Sequence, residues 1–157
     1  MPLAETHATD LELLAQTRRQ LLGMLEEHSL EQLNRIPAGF NNNLIWNAAH
    51  CWVTQVLLTR GLGQLGFDLP EEFVATYRKG GAPGKDVTAE ELEFIREGLR
   101  ESPNELARDL DAEDWTNFKP YRTSYGASMA NISEAVRFNN AHEAMHLGVM
   151  LAQRKLV

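Results

Sequence analysis

The chain has 157 residues, 43% hydrophobic and 24% charged, with a net charge of −7. That is the composition and length of one globular domain, large enough to bury a core without staples. The acidic balance excludes a phosphate-backbone binder. Lys and Arg are scattered, with pairs only at Arg18-Arg19, Arg78-Lys79 and Arg154-Lys155, and no basic stripe exists to release counterions.

Three further function classes fall away. A single cysteine, Cys51, allows no internal disulfide and no multi-thiolate metal site. The most apolar stretch, Leu44 to Leu58, is interrupted by Asn47, His50, Thr54 and Gln55, so it is too short and too polar to span a bilayer. The N-terminal MPLAETHATD lacks the basic-then-apolar order of a signal peptide. The expectation is a cytoplasmic single domain over 1–157, with neither nucleic acid nor membrane as partner.

Four long helices are expected and nothing alternates like a strand. The first opens at Thr9-Asp10-Leu11-Glu12, where Thr9 can cap and Glu12 stands at the third helical position. Leu11, Leu14, Leu21, Leu22 and Leu25 share one face, and the helix ends near Glu27 or His28. A short segment, Ser29 to Ile36, leads to the breakers Pro37 and Gly39. The second helix follows the cap residues Asn41-Asn42-Asn43 and runs to about Arg60, where Gly61 and Gly63 stop it. It is apolar nearly all round, so it needs cover on more than one side. A second copy of the chain is one source of that cover, which makes a homodimer an expectation.

The third helix opens with the capping box Thr88-Ala89-Glu90-Glu91. Its stripe of Leu92, Ile95, Leu99, Leu106 and Leu110 keeps phase across Pro103, which predicts one kinked helix rather than two. The fourth runs from about Ile132 to Lys155, capped by Asn131. The connections Gly61–Val87 and Asp111–Ala130 are long. In a bundle such lengths permit crossovers, and in a compact domain they are more often functional than not.

The strongest chemical signal is His142-Glu143-Ala144-Met145-His146. Histidines at i and i+4 project from one helix face about 40° apart, so both imidazoles can reach one ion. Ile132, Val136, Asn139, His142, His146 and Val149 are expected along an inward stripe. The string also reads as the His-Glu-x-x-His of zinc proteases, with Glu143 as the general base. Those enzymes take a third ligand downstream. The corresponding places after His146 hold Val149 and Ala152, so the protease reading fails and the third ligand must come from upstream.

His50 is the natural candidate, mid-helix in the apolar second segment, with Asn47, Trp46 and Asn43 preceding it on the same face. One helix giving two nitrogens and a facing helix giving one would leave coordination positions open for substrate. His7 is expected in a frayed terminus. His28 sits near the end of helix one, where a cation suits the dipole. Cys51 points about 100° away from His50 and reads as a small buried hydrophobe.

Three stretches, IPAGFNNNLIWNAAHCWVTQVLL, YRKGGAPGKDVT and TSYGASMANISEAVRFNNAHEAMHLGVMLAQRK, resemble the DinB-like superfamily of metal-dependent proteins across nearly the whole chain. The match places Asn43, Trp46 and His50 on the family's second helix and His142 and His146 on its fourth, followed by Gly148. The resemblance implies an all-α four-helix bundle in up-down-down-up order and frequent dimers. It also implies one divalent metal ion, with nickel, zinc, iron and manganese all compatible. It further implies a transferase using a low-molecular-weight thiol as co-substrate on a small electrophilic substrate. The alternatives are a hydrolase using metal-bound hydroxide, or a non-catalytic metal-binding bundle. Asn43, Asn47 and Asn139 fall on the histidine faces, where they can orient ligands or substrate.

Overall fold

A computed structural model describes residues 1–157. Four long helices carry the fold: α2 (Ala8–Glu27), α4 (Leu44–Val56), α6 (Ala89–Ala112) and α7 (Ile132–Gln153). Shorter elements fill the connections: α1 (Leu3–Thr6), α3 (Leu30–Asn34), α5 (Glu71–Tyr77) and the strands β1 (Tyr121–Arg122) and β2 (Ser128–Met129). The expected all-α bundle is present. The two-residue ribbon β1–β2 is an addition the sequence pattern did not signal, pinned by antiparallel pairs Tyr121–Met129 and Arg122–Ser128.

Side-chain bonds fix the helix directions. His7 meets Ser133 and Arg18 meets Glu143, so α2 and α7 run parallel. Ala4 meets Asp111 while Arg96 reaches the Leu25 carbonyl, so α6 opposes α2. Asn47 meets Gln153 and His50 meets His142, so α4 opposes α7. The order is up-down-down-up, which the long crossovers permit.

The start of the chain's first long helix differs from the simplest capping reading, while its end at Glu27 is as expected. Thr9 does not cap. The helix begins two residues earlier, after the turn α1, with His7 at its N-cap. His7 is not frayed but fully buried. Its Nδ1–H donates to Asp10 at 2.7 Å, and its Nε2 lies 2.8 Å from the Ser133 hydroxyl. That strap ties the starts of α2 and α7. Elsewhere local signals held: Asn43, Thr88 and Asn131 cap α4, α6 and α7 with their side chains.

Every residue of α4 except Thr54 is buried, and the cover is supplied by the chain's own α2, α5, α6 and α7. The all-round apolar pattern therefore reflects a central helix rather than a face awaiting a second copy. The α4–α6 contact depends on Gly98, because a Cβ there would overlap the Trp52 ring. Gly98→Ala is expected to cost about 1–3 kcal/mol through overpacking, despite the better helix propensity of alanine. A urea midpoint measured by far-ultraviolet circular dichroism checks this.

The α6 helix runs unbroken through Pro103, as the stripe predicts. Proline lacks the N–H that would bond the carbonyl four residues back. That carbonyl belongs to Leu99, and it accepts instead from Arg18 Nη1 at 3.2 Å. Arg18 lies at the centre of a buried polar layer that divides the apolar core in two. Leu21, Trp52, Val53 and Leu99 pack on one side of it, and Leu14, Leu58, Leu106 and Val136 on the other. No helix is long and apolar enough to cross a membrane.

Candidate metal centre

The side chains of His50, His142 and His146 converge, with one nitrogen from each lying within 4.8 Å of the other two. His50 comes from the middle of α4. His142 and His146 come from adjacent turns of α7, which packs against α4 in the opposite direction. His50 is buried and the two α7 histidines are half-buried, so the cluster is walled by the bundle yet reachable from one side.

The partners of the other ring nitrogens fix which atoms face inward. His50 Nδ1 lies 2.6 Å from the Tyr77 carbonyl. A carbonyl only accepts, so Nδ1 carries the proton and Nε2 presents a lone pair to the cluster. His146 Nδ1 lies 2.8 Å from Asn47 Oδ1. The Asn47 amide cannot be reversed, because its Nδ2 already serves Asn42 Oδ1, the Asn43 carbonyl and Gln153 Oε1. His146 therefore also presents Nε2. This arrangement, one nitrogen free and the other held by a fixed acceptor, is how metal-binding imidazoles are oriented.

His50 Nε2 and His142 Nε2 stand 3.2 Å apart. Two nitrogens each about 2.0–2.1 Å from a tetrahedral zinc ion lie roughly 3.3 Å from one another, so this pair already has ligand spacing. Electrostatics agree. Burial lowers the pKa of all three rings, to about 3 for His142 and about 4 for His146, with mutual repulsion adding at both. His50 is lowered mainly by burial, against opposing pulls from the Tyr77 hydrogen bond and the Glu143 charge. All three rings are neutral at pH 7, the state a cation requires. The donor set fits a divalent ion.

The second helix gains its rigidity from the Gly61–Val87 connection. The C-terminal carbonyls of α5 lack intrahelical donors. Thr76 accepts from Trp46 Nε1 at 2.9 Å and Tyr77 accepts from His50. Trp46 then stacks on the His50 ring, with centroids 4.7 Å apart and planes 11° apart. The other long connection arrives through Tyr125, which packs on Phe138 beside His142. A cleft of about 420 Å³ lies behind Trp46 and Tyr77, lined also by Phe73 and Phe94; the histidines do not line it.

The remaining sequence candidates take different places. Asn47 holds His146, as just described. Asn43 caps α4 through Trp46 N and ties it to the Asn34 carbonyl, away from the three nitrogens. Asn139 and Glu143 belong to the buried polar layer, so Glu143, rather than His142, occupies the centre of the inward face of α7. Both Glu143 oxygens are engaged: Oε2 accepts from Arg18 Nε at 2.8 Å, and Oε1 accepts from Arg18 Nη2 at 2.8 Å and Asn139 Nδ2 at 3.0 Å. Cys51 is fully buried, and burial with the Glu143 charge pushes its thiol well up, so it offers no thiolate.

Sequence reasoning missed Arg18. All five of its N–H donors are used, on Glu143 twice, the Leu99 carbonyl, Ser102 Oγ and Gln55 Oε1, one contact to each of the other long helices or more. The signal was present, since position 18 falls between Leu14 and Leu21 on the core stripe. It was overlooked because the pair Arg18-Arg19 reads as solvated charge.

A model of the DinB superfamily matches residues 13–150. The chain belongs to that superfamily. The match spans all four long helices of this DinB protein and includes His50, His142 and His146. A search of curated proteins returns no match.

Proposed function

We propose that this DinB protein holds one divalent transition-metal ion with His50, His142 and His146, and that it acts as a metal-dependent transferase joining a small thiol to an electrophilic small molecule. The observation that supports the reading most directly is the convergence of three neutral imidazoles, two of them with Nδ1 already committed to a fixed acceptor. When bound, a divalent cation at such a site acts as a Lewis acid that lowers the pKa of acidic ligands.

The chain's own residues account for the rest. Three uncharged ligands add no negative charge, so the site attracts an anion such as a thiolate. The half-exposed faces of His142 and His146 leave the approach from solvent. Phe138 and Tyr125 flank that approach and offer apolar surface to a substrate body. Glu143 does not supply the base, because its carboxylate is sealed in the bundle against Arg18. The proton of the incoming thiol leaves to solvent.

Elemental analysis of protein purified without affinity-column metal tests the reading. Near-stoichiometric metal is expected in the native chain, falling to a small fraction in His146→Ala. The loaded protein should then consume thiol in the presence of an electrophile, and His142→Ala should not. Native protein that neither retains nor takes up Zn²⁺, Ni²⁺, Fe²⁺ or Mn²⁺ would refute it.

A further inference from the structure

Two of the three histidines have a partner for Nδ1 and the third does not. His142 Nδ1 is out of contact with solvent and has no hydrogen-bond partner. One turn earlier on the same helix, Asn139 Oδ1 is in the same condition. Residues i and i+3 on a helix are surface neighbours, about 5–6 Å apart at Cβ. A buried polar atom left alone costs free energy, and here two of them stand on adjacent turns.

We propose that Asn139 is the positioning residue for His142, its Oδ1 taking the Nδ1–H of that ring, directly or through one shared water, when the ring binds metal. The reasoning turns on tautomers, and it rests on the metal centre proposed above. Without an ion, the 3.2 Å contact between His50 Nε2 and His142 Nε2 needs a proton between two lone pairs. His50 cannot give it, since its proton is on Nδ1 against Tyr77. His142 must therefore donate from Nε2, and its Nδ1 is then a bare lone pair. A cation displaces that proton from the cluster, so His142 ligates through Nε2 and carries its hydrogen on Nδ1. That N–H is buried; of the two orphaned acceptors just before it, Asn139 Oδ1 and Asn140 Oδ1, only Asn139 stands three residues back on the same helix face.

The Asn139 amide is held for this task. Its Nδ2 donates to Glu143 Oε1 at 3.0 Å, and reversing the amide would set Oδ1 against a carboxylate. Glu143 is clamped by Arg18, which is bonded to α4, α6 and α7 together. The buried layer thus becomes the rigid support of the third ligand, as the α5 carbonyl is for His50 and Asn47 is for His146.

The test is zinc affinity by chelator competition on the full chain. The native protein must bind and His146→Ala must not; if the native protein fails to bind, the metal reading itself is refuted. Given native binding, Asn139→Leu, which removes the acceptor and excludes water, is expected to weaken zinc about 10- to 100-fold. Asn139→Ala, which leaves room for water, should lose less. A purely structural asparagine would lower the melting temperatures of apo and loaded protein equally and leave zinc affinity unchanged, and that outcome overturns the proposal while sparing the metal centre. Should Asn139→Leu not fold, histidine ring nitrogen spectra of the native protein decide. On zinc loading the His142 proton should move from Nε2 to Nδ1 and become protected from solvent exchange; a ring proton that stays on Nε2 or exchanges freely sinks the idea.

Discussion

Arg18→Ala is expected to destabilise the protein by about 3–5 kcal/mol, the scale on which removing one partner of a buried ion pair leaves an uncompensated charge. The carboxylate of Glu143, fully buried, would lose two charge-assisted bonds, and the Leu99 carbonyl, orphaned by Pro103, would lose its donor. Ser102 and Gln55 would lose partners in the same stroke. The double substitution Arg18→Met with Glu143→Leu should be less damaging than Arg18→Met alone, because apolar groups of similar volume replace a buried pair at little cost. A denaturation series on the native chain, Arg18→Met, Glu143→Leu and the double variant measures this. Additive losses would show that the pair is not coupled and that the layer does not act as one unit.

Metal loading carries the second large effect. An ion that binds the folded chain and not the unfolded one stabilises it by about 4 kcal/mol at a free concentration a thousand times Kd. For a domain of this size each kcal/mol raises Tm by about 2–4 °C, so saturating metal should shift the transition by roughly 8–16 °C. His50→Ala, His142→Ala and His146→Ala should each abolish most of that shift. Without metal their transitions should fall by less than that, because each loses only ring packing and, for His50 and His146, one Nδ1 hydrogen bond. Differential scanning calorimetry with and without metal checks both halves. A shift that survives in the histidine variants would place the ion elsewhere.

The helices, their caps and the metal-ligand candidates were legible because each is written in local periodicity. Leu44 to Val56 reads as a helix apolar nearly all round, and Thr88 and Asn131 announce their helix starts by side-chain chemistry that acts within three residues. The spacing of His142 and His146 guarantees a shared face. The cap assigned to Thr9 failed for a tertiary reason: burying His7 between Asp10 and Ser133 extends ordered structure to the chain's start. The cover of α4 comes from the chain's own helices, and a helix apolar all round does not say by itself whose surface covers it.

By itself the sequence determined four helices and three histidines whose chemistry suits a cation, because helix propensity, capping and i,i+4 geometry are properties of neighbours along the chain; the order of the helices in the bundle was implied only by the family resemblance. The tertiary structure alone decided which nitrogen His50 and His146 present, through the Tyr77 carbonyl and Asn47. It also decided that Glu143 pairs with Arg18 in the bundle interior. Those outcomes depend on groups 27 to 125 residues apart, and desolvation in the packed interior, which no local pattern records, selects the partner each buried polar atom must take.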